Sequence, residues 1–161
     1  MELPIYEVLQ ENEQHILAQW QSNVFGQACR ELLPGNTSRG QFTDPISYNI
    51  EKNTAAIFKW LIKAAADDDL AEALEEICRL KAIQEEKPSE ALSFIFALKQ
   101  IIYELLKDEK QIRQNKDELA KVNERIDKIA LRAFDYYCAC CAQIYELRVN
   151  EIKRMYGRVV G

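Results

Sequence analysis

Histidine is almost absent from this chain of 161 residues: it occurs once, at His15. With a single imidazole, general acid–base work would fall to carboxylates or lysine. No histidine stands late in the chain, where a globin's proximal haem ligand would lie. Glycine and proline are also scarce, at five and four, so long helices can run uninterrupted. No glycine-rich phosphate loop, nucleophile elbow or zinc-protease motif is present. Basic excess is missing: 21 Lys and Arg face 26 Asp and Glu, a net charge of −5. Without a sustained basic face the chain does not read as a nucleic-acid binder. No apolar run approaches the ~20 residues of a membrane span, and the acidic start MELPIYEVLQENEQ lacks the basic start and apolar core of a secretory signal. Five cysteines, an odd count, fit a reducing cytoplasm.

What is present is helical periodicity in a chain 48% hydrophobic and 29% charged, the composition of one globular domain spanning residues 1–161. Pro4 suits a first helical turn, followed by Ile5, Val8 and Leu9 at helical spacing. Asn12 is a candidate N-cap for a second helix with an apolar face of Ile16, Leu17, Trp20, Val24 and Phe25, ending by Pro34-Gly35. PGNTSRGQFTDP, residues 34 to 45, is a loop. Asp44-Pro45 then starts a helix whose stripe is Ile46, Ile50, Ala56, Ile57, Trp60 and Leu61. Asp67, Asp68 and Asp69 break that helix and cap the next; calcium loops need alternating oxygen ligands and a central glycine, which are missing here. The next helix runs from about Asp69 to Gln84, with Leu70, Leu74, Ile77, Cys78 and Leu80 facing inward. Lys87-Pro88-Ser89 separates it from another whose ALSFIFAL stretch, residues 91 to 98, is apolar nearly all round and so central.

The last helix reads from Lys116 to Met155. Forty residues span about 60 Å at helical rise, whereas a domain of this size is roughly 40 Å across. Either the helix bends, or its charged first half projects, or a second subunit covers the excess. Leu119, Ile126, Ala133, Cys140 and Leu147 recur every seven residues, with Val122 and Ile129 three beyond the first two, which makes a packing seam. Arg132, Asp135, Gln143, Glu146 and Asn150 form a polar stripe opposite. The alternating charges from Lys107 to Lys128 read as a solvated face. Lys153, Arg154 and Arg158 complement the helix dipole.

Cys138, Cys140 and Cys141 fall within four positions of this helix. Helical phase puts Cys138 and Cys141 on one face and Cys140 on the seam. Core packing, thiol sensing and metal binding are all open to them. Zinc wants four ligands from at least two segments, and Cys29, Cys78 and His15 stand at no recognisable spacing. Phe134, Tyr136, Tyr137 and Tyr145 either pack in the core or line a cavity between helices. Asp135 among them is expected to pair with Arg132 or a tyrosine hydroxyl.

Four segments together resemble one family: FTDPISY (42 to 48), RLKAIQEEKPSEALSFIFALKQIIYELL (79 to 106), IDKIALRAFDYY (126 to 137) and QIYELRVNEIKR (143 to 154). The chain is similar to the N-terminal domain of RsbRD, an RsbT co-antagonist of bacterial stress signalling. The resemblance implies an input module that in full-length relatives precedes a STAS domain, adopts a globin-like fold without haem, and dimerises. Phe42, Asp44, Pro45, Gln84, Pro88, Ser89, Phe134, Asp135, Arg148, Asn150 and Glu151 match the family's pattern. No catalytic, cofactor or metal residues come with the match. The family pattern has one cysteine near Cys140, so Cys138 and Cys141 read as additions, and the chain reads as a stand-alone version lacking the STAS domain.

The expectation is therefore an all-α, globin-like bundle of about six helices with a long C-terminal helix. It would be cytoplasmic and homodimeric through that helix, with no cofactor. Its expected function is a non-enzymatic sensory module working through protein partners. Two other readings stay open: a small-ligand, redox or metal-binding protein using the Cys138/Cys141 face, and a structural adaptor using residues 107 to 128.

Overall fold

In a computed structural model, the structure describes residues 5–32, 45–106 and 113–160, with side chains through 24 in the second helix and 158 in the last. Six helices occur among these residues, and no strand: α1 (Ile5–Glu11), α2 (Glu13–Leu32), α3 (Pro45–Leu61), α4 (Asp67–Ile83), α5 (Pro88–Leu105) and α6 (Lys116–Val160). Pro4, the Phe25 side chain, Asp44 and residues 34–44 of the expected loop lie outside what is described.

Local chemistry sets most boundaries. Pro45 and Pro88 open α3 and α5, since the missing amide is not needed in a first turn. Lys63 (φ 63°) turns the chain out of α3 in the left-handed region. The three aspartates then differ from expectation. Ala66 is the extended N-cap and makes no side-chain cap. Asp67, Asp68 and Asp69 instead fill the first turn of α4, where their charge complements the helix dipole. Asp67 also accepts a hydrogen bond from Trp60 Nε1 at 2.8 Å. Asn12 likewise turns backwards: it precedes α2, but its side chain donates to the Val8 carbonyl at 2.8 Å and so closes α1.

The core is one continuous cluster. Ile16, Leu17, Trp20 and Val24 meet Phe94, Ile95 and Leu98 of central α5, and Trp20 Nε1 donates to the Phe94 carbonyl at 2.7 Å. α4 packs against both α3 and α6. Three polar side chains are buried among the described residues: Asn53, Thr54 and Lys81. The first two are satisfied by other side chains or backbone of α3 and α4. Asn53 donates to Glu76 at 2.8 Å, and Thr54 donates to the Ile50 carbonyl at 2.6 Å.

α6 holds 45 residues, about 67 Å of helix. Its charged first half does not project, because Val122, Ile126, Ile129, Ala133, Tyr137 and Cys140 are buried against the body. The far half is left uncovered. Beyond Ile144 every described side chain is exposed except the half-buried Val149. Leu147, expected on the seam, is 65% exposed. The seam stops where α4 ends, so the heptad continues past its partner. The polar stripe at Arg132, Asp135, Gln143, Glu146 and Asn150 is exposed throughout.

Candidate functional site

The densest chemistry of the fold gathers where the α4–α5 turn meets the middle of α6. Lys81, on the last full turn of α4, points inward. Its ammonium donates to the Val24 carbonyl of α2 at 2.9 Å and to Glu86 at 3.1 Å, and lies 5.4 Å from the centre of the Phe94 ring. An ammonium can be held in such a place only if its hydrogens are met, and a carbonyl, a carboxylate and a ring face meet them. Glu85, next to Glu86, adopts φ 59°. That left-handed residue reverses the chain after α4, so that Glu85 points outward and Glu86 inward. Each then reaches α6. The Tyr137 hydroxyl donates to the Glu86 backbone carbonyl, and Arg148 pairs with the Glu85 carboxylate. One turn of chain thus joins α2, α4, α5 and two points of α6 three helical turns apart.

The cysteines border this junction. Cys78 is buried on α4 and its thiol donates to the Ala133 carbonyl of α6 at 3.4 Å. Burial pushes its pKa up to about 12, reinforced by Cys140 and Cys141 and partly opposed by Lys81. Burial also raises Cys140, with Arg79 opposing. Tyr137 is held well above the usual phenol range by burial, then by its hydrogen bond with Cys141 and the nearby Glu86 carboxylate. Thiols kept protonated are poor nucleophiles and poor metal ligands.

Sequence expectation and structure part at several residues here. Cys140 is buried in the core, Cys141 is half-buried and packs against it, and Cys138 is exposed. The aromatic run does not pack as a unit. Tyr137 is buried, Tyr136 half-buried, and Phe134 and Tyr145 are exposed, since positions 134 and 137 lie about 60° apart on the helix and only 137 looks at α4. Asp135 is exposed, and no ion pair to Arg132 forms among the described residues. Nor do those residues contain a cluster of three or more His, Cys, Asp or Glu side chains placed to hold a metal. No helix among them is long and apolar enough to cross a membrane. Lys81, Glu85 and Glu86 went unnoticed in the sequence. The available signal was Lys81 itself, three and four residues after Cys78 and Ile77 on an otherwise apolar stripe.

The turn and the contacts it makes with α6 lie inside a region that matches a known family. Residues 17–152 match the family described as the RsbT co-antagonist protein rsbRD N-terminal domain. The chain belongs to that family. No curated protein and no solved structure gives a significant match. In this RsbRD N-terminal domain the pattern residues take structural positions around the turn. Gln84 ends α4, its amide bonding to the Leu80 carbonyl at 3.3 Å. Pro88 and the exposed Ser89 start α5. Arg148 holds Glu85. Pro45 starts α3, while Phe134, Asp135, Asn150 and Glu151 are exposed on α6. Phe42 and Asp44 lie outside the described residues.

Proposed function

We propose that the chain is one domain, residues 1–161, serving as a cytoplasmic, non-enzymatic input module of bacterial stress-type signalling. It acts through protein contacts and as a homodimer joined along α6. One observation carries this reading: α6 closes the core over its first half, then runs on with large apolar side chains that are exposed among the described residues. A helix anchored at one end and offered at the other is suited to pass a displacement outward. The α4–α5 turn supplies the linkage, because a shift of α2 at Val24 reaches α6 through Lys81, Glu86 and Tyr137. Membership of a family of RsbT co-antagonist domains supports an RsbT-type protein as the eventual target of that displacement.

Sedimentation of the purified protein tests the reading, alone and mixed with STAS-domain proteins and the RsbT-type kinase of the same cell. A self-associating protein that joins at least one of them is expected. A monomer that binds none of them sinks it.

A further inference from the structure

A groove of about 390 Å³ lies between α3 and α4, at the lower end of the ~300–1,000 Å³ usual for small-molecule sites. Helical spacing builds its walls. Pro45, Asn49 and Lys52 stand one turn apart along α3, and Glu76, Arg79 and Ile83 do so along α4. Trp60 meets Asp67 and Lys52 meets Glu76, so the two helices run antiparallel and Pro45 falls at the level of Ile83. The groove therefore grades in polarity. Lys52 and Glu76 charge one end, and Asn49 and Arg79 come next. Tyr48, Leu80, Pro45 and Ile83 carry it to an apolar end about 10 Å away. There Tyr48 and Ile83 are 53% and 61% exposed.

One buried residue organises the polar end. Asn53 is 2% exposed. Its amide nitrogen donates to the Glu76 carboxylate at 2.8 Å and to the Asn49 side-chain carbonyl at 3.2 Å. Both amide hydrogens of this core residue are thus directed at groups that line the groove. Burying an amide is unfavourable unless its hydrogens are met, and here meeting them fixes a carboxylate in place and leaves Asn49 its own two donors. The cations are held more loosely. Lys52 Nζ stands 3.8 Å from Glu76, at the edge of an ion pair. Arg79 meets Glu75 at 3.2 Å with both side chains about half exposed, a tie that stabilises little. Each can turn to a ligand at small cost.

We infer that this groove binds a hydrophobic α-amino acid, with its ammonium on Glu76, its carboxylate on Lys52 and Arg79, and its side chain along Tyr48 and Ile83. The balance of charge selects that class. A carboxylate alone would come against Glu76, and an amine alone against Lys52 and Arg79. Both charges of an α-amino acid hang from one carbon, which matches an acid and a base standing 3.8 Å apart. The apolar end then takes the side chain, with an aromatic ring at Tyr48 to pack on it. An occupied groove bears on the last two turns of α4, which carry Lys81 into the junction with α2, α5 and α6. That consequence rests on the input-module reading; the binding itself does not.

Isothermal titration calorimetry of the full chain with L-phenylalanine tests this, beside 3-phenylpropanoate, which lacks the ammonium, and phenethylamine, which lacks the carboxylate. L-phenylalanine is expected to bind at least tenfold tighter than either. Glu76→Gln keeps an acceptor for Asn53 while removing the charge. It should weaken L-phenylalanine at least tenfold and bring it level with 3-phenylpropanoate. Lys52→Gln combined with Arg79→Gln should bring it level with phenethylamine, and Tyr48→Ala should weaken all three probes. Helicity by circular dichroism is expected to stay unchanged, since each substituted side chain is at least partly exposed. No binding of L-phenylalanine up to its solubility limit overturns the inference. Equal binding of 3-phenylpropanoate by the unaltered chain overturns the ligand class. Binding indifferent to both Glu76→Gln and Tyr48→Ala overturns the location. The expected binding pattern in a chain whose sedimentation shows no protein association keeps the site and overturns the input-module reading alone.

Discussion

Lys81 and Glu86 form an ion pair at 3.1 Å with 3% and 10% of their side chains exposed. It is the most buried ion pair among the described residues, and it sits where α2, α4, α5 and α6 are tied together. Removing water from two charges costs about as much as their attraction returns, so such a pair adds little net stability. What it supplies is a single geometry: the ammonium finds its carbonyl, carboxylate and ring face together only when α2, α4 and the turn are all in place.

Breaking the pair from one side is therefore costly. Lys81→Met leaves the Glu86 carboxylate and the Val24 carbonyl without their donor. The loss of unfolding free energy is expected at about 3–5 kcal/mol. Adding Glu86→Gln to Lys81→Met removes the stranded charge and should recover a large part of it. Urea denaturation of the two single variants and the double variant measures this; strictly additive losses would show that the two side chains do not act as a pair.

Glu85 holds the turn in a conformation that side chains resist. At φ 59° a residue with a Cβ carries about 1–2 kcal/mol that glycine does not. Its bond to Arg148 is exposed on both sides, 57% and 64%, and is worth at most about 1 kcal/mol. Glu85→Gly is therefore expected to hold or slightly raise the melting temperature, while Glu85→Ala lowers it. Hydrogen exchange should meanwhile rise around Arg148 in both variants. Equal melting temperatures for the two would mean that the turn is unstrained.

The fold was legible where one residue type fixes one event. Pro45 and Pro88 marked helix starts because proline fits a first turn and little else in a helix. The periodicity of Ile50, Ile57 and Leu61 marked a buried face that the structure reproduces. Legibility failed where the outcome depends on what lies across from a residue. Leu147 continues the same heptad as Ala133 and Cys140, and nothing in its own helix says that α4 has ended beside it. Phe134 and Tyr145 look like core on hydrophobicity alone. Lys81 looks like surface on charge alone, and only the Val24 carbonyl and Glu86, distant or unremarkable in sequence, make its burial tolerable. The junction was visible as family-pattern residues, Gln84, Pro88 and Arg148, but its chemistry was not.

Arg125 supplies a second tie, between α6 and the end of α3. Its guanidinium donates to the Leu61 carbonyl at 3.1 Å and to the Trp60 carbonyl, and stacks 3.9 Å from the centre of the Trp60 ring. Both carbonyls belong to the last turn of α3; the Trp60 carbonyl also accepts from the Lys63 amide at 3.0 Å, and the guanidinium supplies Leu61 with a donor that the end of the helix does not. Arg125→Ala is expected to cost about 2–4 kcal/mol, combining two charge-assisted bonds with the stacking contact. Arg125→Lys should restore less than half, because an ammonium keeps the charge but not the planar fork. Thermal melts followed by Trp60 fluorescence report both; a lysine variant as stable as wild type would leave charge alone as the cause.

The buried acids of the junction give the protein an alkaline limit. Cys78 is raised from 9.0 to about 12, and Cys140 and Tyr137 move in the same direction, all chiefly through burial. A thiol held protonated in the folded state contributes stability that is fully present below its unfolded pKa. As pH rises from about 9 towards 12, the unfolded chain releases the proton and the folded chain keeps it, so unfolding is favoured. The slope from Cys78 alone is at most about 1.4 kcal/mol per pH unit in that window. Stability measured from pH 7 to 11 should be flat at first and then fall above pH 9. Cys78→Ala should lower the plateau, through the cavity it leaves, and also flatten the fall. Wild type and Cys78→Ala running parallel above pH 9 would show that this thiol titrates alike in both states.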